Sequence, residues 1–271
     1  MKAIRQIALE HLSLGELTDI WNRCWQGYYY DMTYTPEHLK LWLHLTQVSL
    51  QHSIAIIVED QIAGFALLSL DGIEGWIAGA CIDPDYRRRG LFTPLMSSQL
   101  NKARSAGLKR VYLEVLEQNH ALKVYQSVGF MRVRRLNIYR TQRRLNSPKN
   151  EVPTLDLETV PVAQYFKNRR SAFFNPAWQR RERYLKRYGN PLAVMNLTGT
   201  AGALFAGDSN APCLDAWSAT EAGAVEVISL VLRRRASFSL TNQPEDWIVA
   251  CLSAYGINPS AKQFEMCTEL T

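Results

Sequence analysis

The sequence has no run of apolar residues long enough to cross a membrane, which takes about 18 to 20 residues. Its first residues, MKAIRQIALEHLSLGELTD, also lack the unbroken apolar stretch of a secretory signal. These two absences argue against a membrane-spanning or exported protein. We therefore expect a cytoplasmic protein with no membrane partner.

Cysteine is scarce and scattered. The five cysteines are Cys24, Cys81, Cys213, Cys251 and Cys267, an odd number, and no two of them form a C-x-x-C pair. Disulfide frameworks and zinc sites both need closely patterned cysteines. We expect neither of them, and no metal, in a chain suited to a reducing compartment.

The length predicts two domains, and the charge predicts an anionic ligand in the first of them. The chain has 271 residues, 47% of them apolar and 21% charged, which suits about two globular domains. A Pro- and Asn-containing stretch at 146–153 predicts a linker between domains at 1–145 and 154–271. Residues 1–145 hold 18 Lys and Arg against 13 Asp and Glu (+5), and residues 146–271 hold 13 against 12 (+1). The surplus suits an anionic ligand in the first domain.

Hydrophobic periodicity predicts the elements of the first half. Helices are expected over 14–24 and after Pro36, strands over 53–59, 62–70 and 75–82, a helix ending at Gly107, a strand over 110–115, a helix over 121–127 and a last strand to Tyr139. This order, α-α-β-β-β-α-β-α-β, predicts an α+β domain with a mostly antiparallel, mixed sheet flanked by helices.

The second half repeats part of that plan. It predicts a helix from Asn175 to Gly189 and strands over 192–197 and 201–205. Residues 125–130 (YQSVGF) match residues 252–257 (LSAYGI) at an offset of 127, and a strand-like tail follows each. A tandem duplication is the favoured interpretation, against chance similarity of one helix-glycine-strand unit.

A basic turn after the third strand suits a pyrophosphate. Residues 82–94 (IDPDYRRRGLFTP) follow an apolar strand and open a helix, whose first backbone N–H groups and positive dipole end point at one place. Three arginines add charge that can hold further phosphate. From charge alone, an ordinary solvated basic turn is the alternative.

Several motifs in order resemble the GNAT superfamily of acyl-CoA-dependent N-acetyltransferases. They are Arg87 to Phe92 at the turn, Leu113-Glu114-Val115 on a strand, Asn119, and 124–130 (VYQSVGF), and the resemblance covers about residues 12–140. Phe92 stands where the family usually has glycine or alanine. The spacing from Asn119 to Tyr125 is one residue short, so either Gln118 or Asn119 fills the family's asparagine position.

The resemblance implies the GNAT fold, with acetyl-CoA as cosubstrate. It assigns acetyl-CoA binding to Cys81, Ile82, Arg87, Arg88, Arg89, Gly90, Leu91, Phe92, Thr93, Asn119 and Tyr125. The third strand would part from its neighbour, with Gly79 as a bulge, and backbone N–H groups near Cys81 and Ile82 would polarise the thioester carbonyl. A core cysteine is favoured over a nucleophile at position 81.

The resemblance also implies two catalytic residues for direct acetyl transfer to a primary amine. Glu114 matches the base of the ribosomal-protein-alanine branch, and the alternative is a surface glutamate paired with Lys109 or Arg110. Tyr125 matches the tyrosine that protonates the departing thiolate, and the alternative is a packing tyrosine. Retention of both residues favours an enzyme over a catalytically silent acyl-CoA sensor or interaction module.

The acceptor side is marked by aromatic residues between the first two helices. Trp25, Tyr29 and Tyr30 are the candidate substrate residues, whereas Trp21 has the helical spacing of a core residue. The acceptor could be a protein N-terminus, a lysine or a small-molecule amine.

The second half is expected to be a smaller, degenerate GNAT-like domain. It has no counterpart of the arginine-glycine turn or of Glu114. Its arginine clusters, at 169–170, 180–187 and 233–235, raise the alternative of nucleic-acid binding, which the half's net charge of +1 argues against. The sequence is compatible with a monomer or a homodimer.

Overall fold

The computed structural model describes residues 4–140, 157–172, 175–207, 211–234 and 237–270. Contacts divide the chain into two compact units, Met1–Val133 with Glu265–Thr271, and Arg134–Phe264. The predicted linker at 146–153 lies outside the described residues, and the division between the units falls earlier in the chain. The first unit thus includes the last seven residues of the chain.

Among its described residues, the first half contains ten α-helices and β-strands. They are β1 (Arg5–Ala8), α1 (Leu14–Cys24), α2 (Pro36–Thr46), β2 (Ile54–Val58), β3 (Gln61–Asp71), β4 (Glu74–Ile82), α3 (Phe92–Ser105), β5 (Arg110–Leu116), α4 (Ala121–Ser127) and β6 (Met131–Arg140). The nine predicted elements are all present, within a few residues of the expected bounds. Strand β1 was not predicted, because four residues are too few to show a period of two.

The second half repeats the same order. Its elements are β7 (Leu157–Val160), α5 (Val162–Ala172), a 3-10 turn (Trp178–Arg180), α6 (Glu182–Leu185), β8 (Leu192–Asn196), β9 (Ala201–Phe205), β10 (Cys213–Ser218), α7 (Glu221–Arg233), β11 (Ser239–Pro244), α8 (Trp247–Ala254) and β12 (Ala261–Glu269). The sequence patterns missed β7, α5, β10, α7 and β11. No helix in the described ranges is long and apolar enough to cross a membrane.

The helix predicted from Asn175 to Gly189 is wrong. The chain forms the short 3-10 turn and the single-turn α6 instead, and Arg181 between them has an extended backbone. Trp178 and Arg180 are buried, and contacts of the Arg180 side chain with β10 stabilise this irregular path. Tertiary contacts therefore override the local helical pattern.

The ends of α4 and α8 show the repeat at the level of single hydrogen bonds. The Phe130 N–H donates to the Tyr125 carbonyl at 3.0 Å, and 127 residues later the Ile257 N–H donates to the Leu252 carbonyl at 2.9 Å. Gly129 and Gly256 both have a positive φ that suits glycine at a helix C-terminus. The residue at the position of Tyr125 in the second half is Leu252.

Candidate active site

In the first unit, β4 and β5 begin as parallel neighbours and then part. Glu74 pairs with Arg110, Gly75 with Val111 and Trp76 with Tyr112, after which β4 continues to Ile82 and β5 to Leu116. A bulge in β4 accompanies the parting, because Ile77 pairs with Leu68 and Gly79 with Leu67, which leaves Ala78 as the extra residue. We call the opening between these strands the strand gap.

One edge of the gap carries a backbone donor from β4. The Asp83 N–H donates to the Ala63 carbonyl of β3 at 3.0 Å. Successive N–H groups of a strand point to opposite sides, so the Ile82 N–H points away from β3, towards the gap. The N–H of Cys81, which pairs with Phe65, points to β3. Of the two residues predicted to offer an N–H, Ile82 lies on the open side.

The thiol of Cys81 is a buried group of the core. It donates to the Cys24 carbonyl, and burial raises the pKa of the thiol to about 11. The thiol is therefore protonated near neutral pH, which agrees with the core role expected for it rather than with a nucleophile.

The predicted phosphate loop leads from β4 to α3. Asp83 is buried, forms an ion pair with Arg23 and accepts from the Asp85 N–H at 3.0 Å. Arg88 and Gly90 have φ angles of 61° and 72°, which turn the backbone sharply ahead of the helix. The first N–H groups of α3 have no partner within the helix. This end of the helix is therefore suited to an anion.

The three predicted arginines have different surroundings. The Arg87 guanidinium donates to the carbonyls of Ile82, Cys24 and Gln26 at 2.9 to 3.0 Å and so anchors the loop to α1. Arg89 donates to the Asp85 carbonyl at 2.7 Å and lies over the Tyr86 ring. Arg88 is exposed at the turn. The sequence did not reveal that Arg87 holds the loop in place.

Three further predicted residues lie where α3 starts. Leu91 precedes the helix, Phe92 is its first residue, and Thr93 is exposed in its first turn. The ring of Phe92 is turned inward, edge-on to the ring of Tyr125 at 5.4 Å between centroids. The bulky residue at this position therefore packs beside the tyrosine.

Tyr125 is buried on α4 between two aromatic rings. Phe92 and Phe130 both meet its ring edge-on. Burial raises the pKa of the Tyr125 hydroxyl well above its usual value of about 10, and nearby Tyr28 and Cys81 raise it further. The hydroxyl is therefore protonated and available as a donor.

Glu114 is held by the indole of a residue on the neighbouring strand. The Trp76 Nε1–H donates to Glu114 Oε2 at 2.6 Å. Trp76 pairs with Ser69, whose hydroxyl donates to the Thr46 carbonyl of α2, so this face of the sheet is covered by the first two helices. Arg110, one of the two partners weighed for Glu114, pairs with Glu269 at 2.7 Å instead.

The start of α4 distinguishes Asn119 from Gln118. The Asn119 Oδ1 accepts from the Ala121 N–H at 2.9 Å, and its side chain is hydrogen-bonded to the Tyr28 hydroxyl. Gln118 is exposed, and its backbone carbonyl accepts from the Tyr29 hydroxyl at 3.0 Å. Of the two side chains, that of Asn119 is therefore the one turned towards the aromatic residues that follow α1.

The aromatic segment after α1 divides into core and cavity residues. Trp21 is buried and its Nε1–H donates to the Met32 carbonyl at 2.7 Å, as expected for a core residue. The candidates Trp25, Tyr29 and Tyr30 line a cavity of about 260 Å³. Tyr28 lines it too and contacts Asn119, although the sequence pattern did not single it out.

The second unit fills the corresponding opening with its own side chains. The Arg180 guanidinium reaches the Ala216 carbonyl of β10 at 3.0 Å, Asp215 Oδ1 of β10 at 2.6 Å and the Gln243 side chain of β11. Asp215 also binds Arg169 at 2.8 Å, and both arginines are buried. We call this group the Arg180 network. Two arginines that suggested nucleic-acid binding are thus internal.

The described residues include no group of three or more His, Cys, Asp or Glu side chains that could hold a metal ion.

Comparisons with known proteins match the first half to one family. Residues 14–130 match the model of the acetyltransferase (GNAT) family. The chain is 30% identical over 79 residues to the ribosomal protein bS18-alanine N-acetyltransferase of Salmonella typhimurium strain LT2, a match covering 29% of this chain and 53% of that one. The Escherichia coli K12 enzyme of the same name is 31% identical over 71 residues, covering 26% and 48%. The chain spans about half the length of these curated relatives.

Two solved structures are similar in fold along the whole chain. A putative acetyltransferase from Pyrococcus horikoshii has a TM-score of 0.69 at 14% identity, covering 98% of this chain and 89% of that one. A tandem GNAT protein from the clavulanic acid biosynthesis pathway has a TM-score of 0.65 at 14% identity, covering 99% of both chains. The likeness confirms the predicted fold class, including a second GNAT-like half.

Proposed function

We propose, from the match of residues 14–130 to the GNAT acetyltransferase family, that the protein transfers the acetyl group of acetyl-CoA to a primary amine. The strand gap is the observation that supports the proposal most. It opens between β4 and β5 beside an anion-suited loop, a buried protonated tyrosine and a carboxylate.

The residues around the gap fit acetyl-CoA. The loop at 87–93 and the N-terminus of α3 would hold the pyrophosphate through backbone N–H groups, with Arg88 adding charge at the rim. The Ile82 N–H would donate to the thioester carbonyl. Bound acetyl-CoA supplies an activated acetyl group as a thioester.

Glu114 is the proposed base. An alkylamine with a pKa of about 10 is protonated near neutral pH, so a proton must leave before the nitrogen can attack. The Trp76 indole fixes the carboxylate on the face covered by α1 and α2, which is also where the aromatic segment lies. Glu114 would accept the proton directly or through one water molecule.

Tyr125 is the proposed acid. Its hydroxyl would donate a proton to the coenzyme sulfur as the thiolate leaves. Phe92 and Phe130 fix the ring, and burial keeps the hydroxyl protonated. Because a thiol with a pKa near 8.5 is a stronger acid than this tyrosine, the hydroxyl would first stabilise the departing thiolate as a hydrogen-bond donor, and the proton would pass to the sulfur as the hydroxyl is reprotonated.

The second half is proposed to bind no acetyl-CoA. Thr220, which caps α7, lies two residues after the end of β10, so the connection is too short for a loop like 83–91. The Arg180 network occupies the space between β10 and β11.

The curated relatives carry the name of a ribosomal-protein alanine acetyltransferase, so peptides with an N-terminal alanine are the first acceptors to test, before lysine and small amines.

Calorimetry and turnover test the proposal together. We expect acetyl-CoA to bind at one site per chain, and at least one amine of a peptide and small-amine panel to be acetylated. Glu114→Gln keeps the size of the side chain, retains acetyl-CoA binding and lowers kcat about 10²- to 10⁴-fold. Binding without turnover would favour an acyl-CoA sensor, and no binding would refute both functions.

A further inference from the structure

The cavity after α1 is lined by one short segment of chain. Residues 22 and 25–33 surround about 260 Å³. This space is large enough for several groups the size of a water molecule. A short alkyl chain with a terminal ammonium has that size.

Four aromatic rings form the walls and meet at steep angles. The ring of Tyr28 lies 4.7 Å from that of Trp25 at 70°, 5.3 Å from that of Tyr29 at 80° and 6.4 Å from that of Tyr30 at 65°. Tyr29 and Tyr30 are almost half exposed. Aromatic side chains bind alkylammonium groups over their ring faces, so a cavity lined by four such rings suits a group of this kind.

The charges at the cavity favour a cation at its tyrosine end. Among the described residues that line it, the charged side chain is Asp31, and there is no lysine or arginine. Arg87 donates to the Gln26 carbonyl at 2.9 Å, so its positive charge lies at the Gln26 end. An ammonium group is therefore expected beside Tyr29 and Tyr30.

The cavity adjoins the strand gap. The edge of the Trp25 ring lies 3.5 Å from the position that a Cβ on Gly79 would occupy, beside the bulge in β4. Tyr28 and Tyr29 are hydrogen-bonded to the start of α4, the helix that carries Tyr125. An acceptor that reaches the gap can therefore place another part of itself in the cavity.

A cation–π site cannot be the place of the reacting nitrogen. Such a site stabilises an amine in its protonated form, which has no lone pair for attack on a thioester. We propose, on the premise of the acetyltransferase activity above, that the cavity binds a second cationic group of the acceptor. Preferred acceptors then carry an ammonium group besides the amine that reacts, either in a lysine side chain of a peptide or in a polyamine.

Acceptors matched in length, each with a single reactive amine, test the proposal. One pair is (6-aminohexyl)trimethylammonium and hexylamine, and the other is the peptide amides Ala-trimethyllysine and Ala-norleucine. We expect the cationic member of a pair to have a kcat/KM about 2- to 30-fold higher, the range of one cation–π contact. The pair with the larger ratio identifies the source of the cation. Ratios of one in both pairs would overturn the proposal.

Two variants of one residue locate the effect. Tyr30→Ala removes a wall and is expected to bring the ratio close to one, whereas Tyr30→Phe keeps the ring and the ratio. Because Tyr30 is 44% exposed, both variants are expected to fold, and a thermal melt checks this. A preference that survives Tyr30→Ala would refute the assigned site.

A binding measurement separates this proposal from the proposed activity. Calorimetry of (6-aminohexyl)trimethylammonium with the unmodified protein should show binding that Tyr30→Ala weakens and hexylamine does not reproduce. That result would support the cavity even if no acceptor were acetylated, in which case the acetyltransferase activity alone would be refuted. Equal binding of both compounds would refute the cavity.

Discussion

The two halves of this chain repeat one order of elements but differ at one place in the fold. The strands β4 and β5 of the first half leave an opening, whereas side chains fill the corresponding space between β10 and β11 of the second half. In the first half, β4 and β5 pair at three positions and then part, the Ile82 N–H of β4 points to the gap, and Tyr125 interacts with Cys81 of the same strand. In the second half, a parallel bridge joins Cys213 to Phe238, and the Arg180 side chain spans from β10 to β11.

The difference follows from the cost of backbone groups that lack a partner. Strands that part expose N–H and C=O groups, and burial without a partner costs about 1–3 kcal/mol for each group. The second half satisfies such a group internally, since the Ala216 carbonyl accepts from Arg180. In the first half, we propose that acetyl-CoA occupies the gap. On that proposal, one fold supports either a binding site or a closed core at this place.

The largest expected effect concerns Tyr125. Tyr125→Phe keeps the packing with Phe92 and Phe130 but removes the proposed proton donor, so kcat should fall about 10²- to 10⁴-fold while acetyl-CoA affinity stays unchanged. Steady-state kinetics and calorimetry measure the two quantities. As a control for loss of a tyrosine hydroxyl elsewhere, Tyr255→Phe in the second half, where the hydroxyl bonds to Ser229, should leave kcat unchanged. A normal kcat in Tyr125→Phe would remove this residue from the mechanism.

The Arg180 network, which fills the opening in the second half, should contribute more to the free energy of unfolding than the ion pair of Asp83 with Arg23 in the first half. Asp215→Ala leaves Arg169 and Arg180 buried without their carboxylate, and the free energy of unfolding should fall by about 3–5 kcal/mol. Asp83→Ala in the first half also removes a buried acid, but its partner Arg23 is 42% exposed and can be solvated. Urea unfolding should therefore show a smaller loss for Asp83→Ala. Equal losses would contradict the proposed difference between the halves.

Alanine substitutions at two glycines with the same backbone conformation distinguish a loss of stability from a loss of acetyl-CoA binding. Gly90 and Gly256 have φ angles of 72° and 73°, and an added Cβ would have no atom within 4 Å at either site. Alanine should cost about 1–2 kcal/mol of stability at both positions. Only Gly90→Ala is expected to weaken acetyl-CoA binding, by about five- to tenfold, because it alone changes the predicted phosphate loop. Equal acetyl-CoA affinities in the two variants would argue against that loop.

The smallest expected effect is one of pH. A raised pKa keeps the acid form of Tyr125 up to a higher pH, so its hydroxyl should remain protonated where an ordinary tyrosine starts to ionise, near pH 10. With saturating substrates, kcat should not fall between pH 8 and pH 10. A fall in this interval that is absent in Tyr125→Phe would show that the hydroxyl ionises there.

Sequence patterns predicted the first half well because its signals are long and local. The strands over 53–82 and the helix over 14–24 follow clear periods, and Trp21 was recognised as a core residue. Patterns failed where the signal is short or tertiary. Strand β1 has four residues, and the helix expected from Asn175 is broken where Arg180 turns into the core.

Within the candidate site, the sequence predicted which residues to consider but not which other residues they contact. Glu114 and Tyr125 were predicted from the resemblance to the GNAT superfamily, whereas Trp76, which holds Glu114, is 38 residues away in the chain. Arg87 was expected to serve a phosphate, yet its guanidinium anchors the loop to α1. Tyr28 was not chosen because nothing local distinguishes it from Tyr29 and Tyr30.

The sequence by itself determined the GNAT-like order of elements, the basic turn and the repeat at an offset of 127 residues. These features depend on periodicity, glycine positions and spacing, which are local properties of the chain. Tertiary structure decided which opening is filled, which arginines are buried and which aromatic rings enclose a cavity. Such features depend on contacts between residues far apart in sequence, for instance Arg180 with Asp215 and Gln243, and no local pattern encodes them.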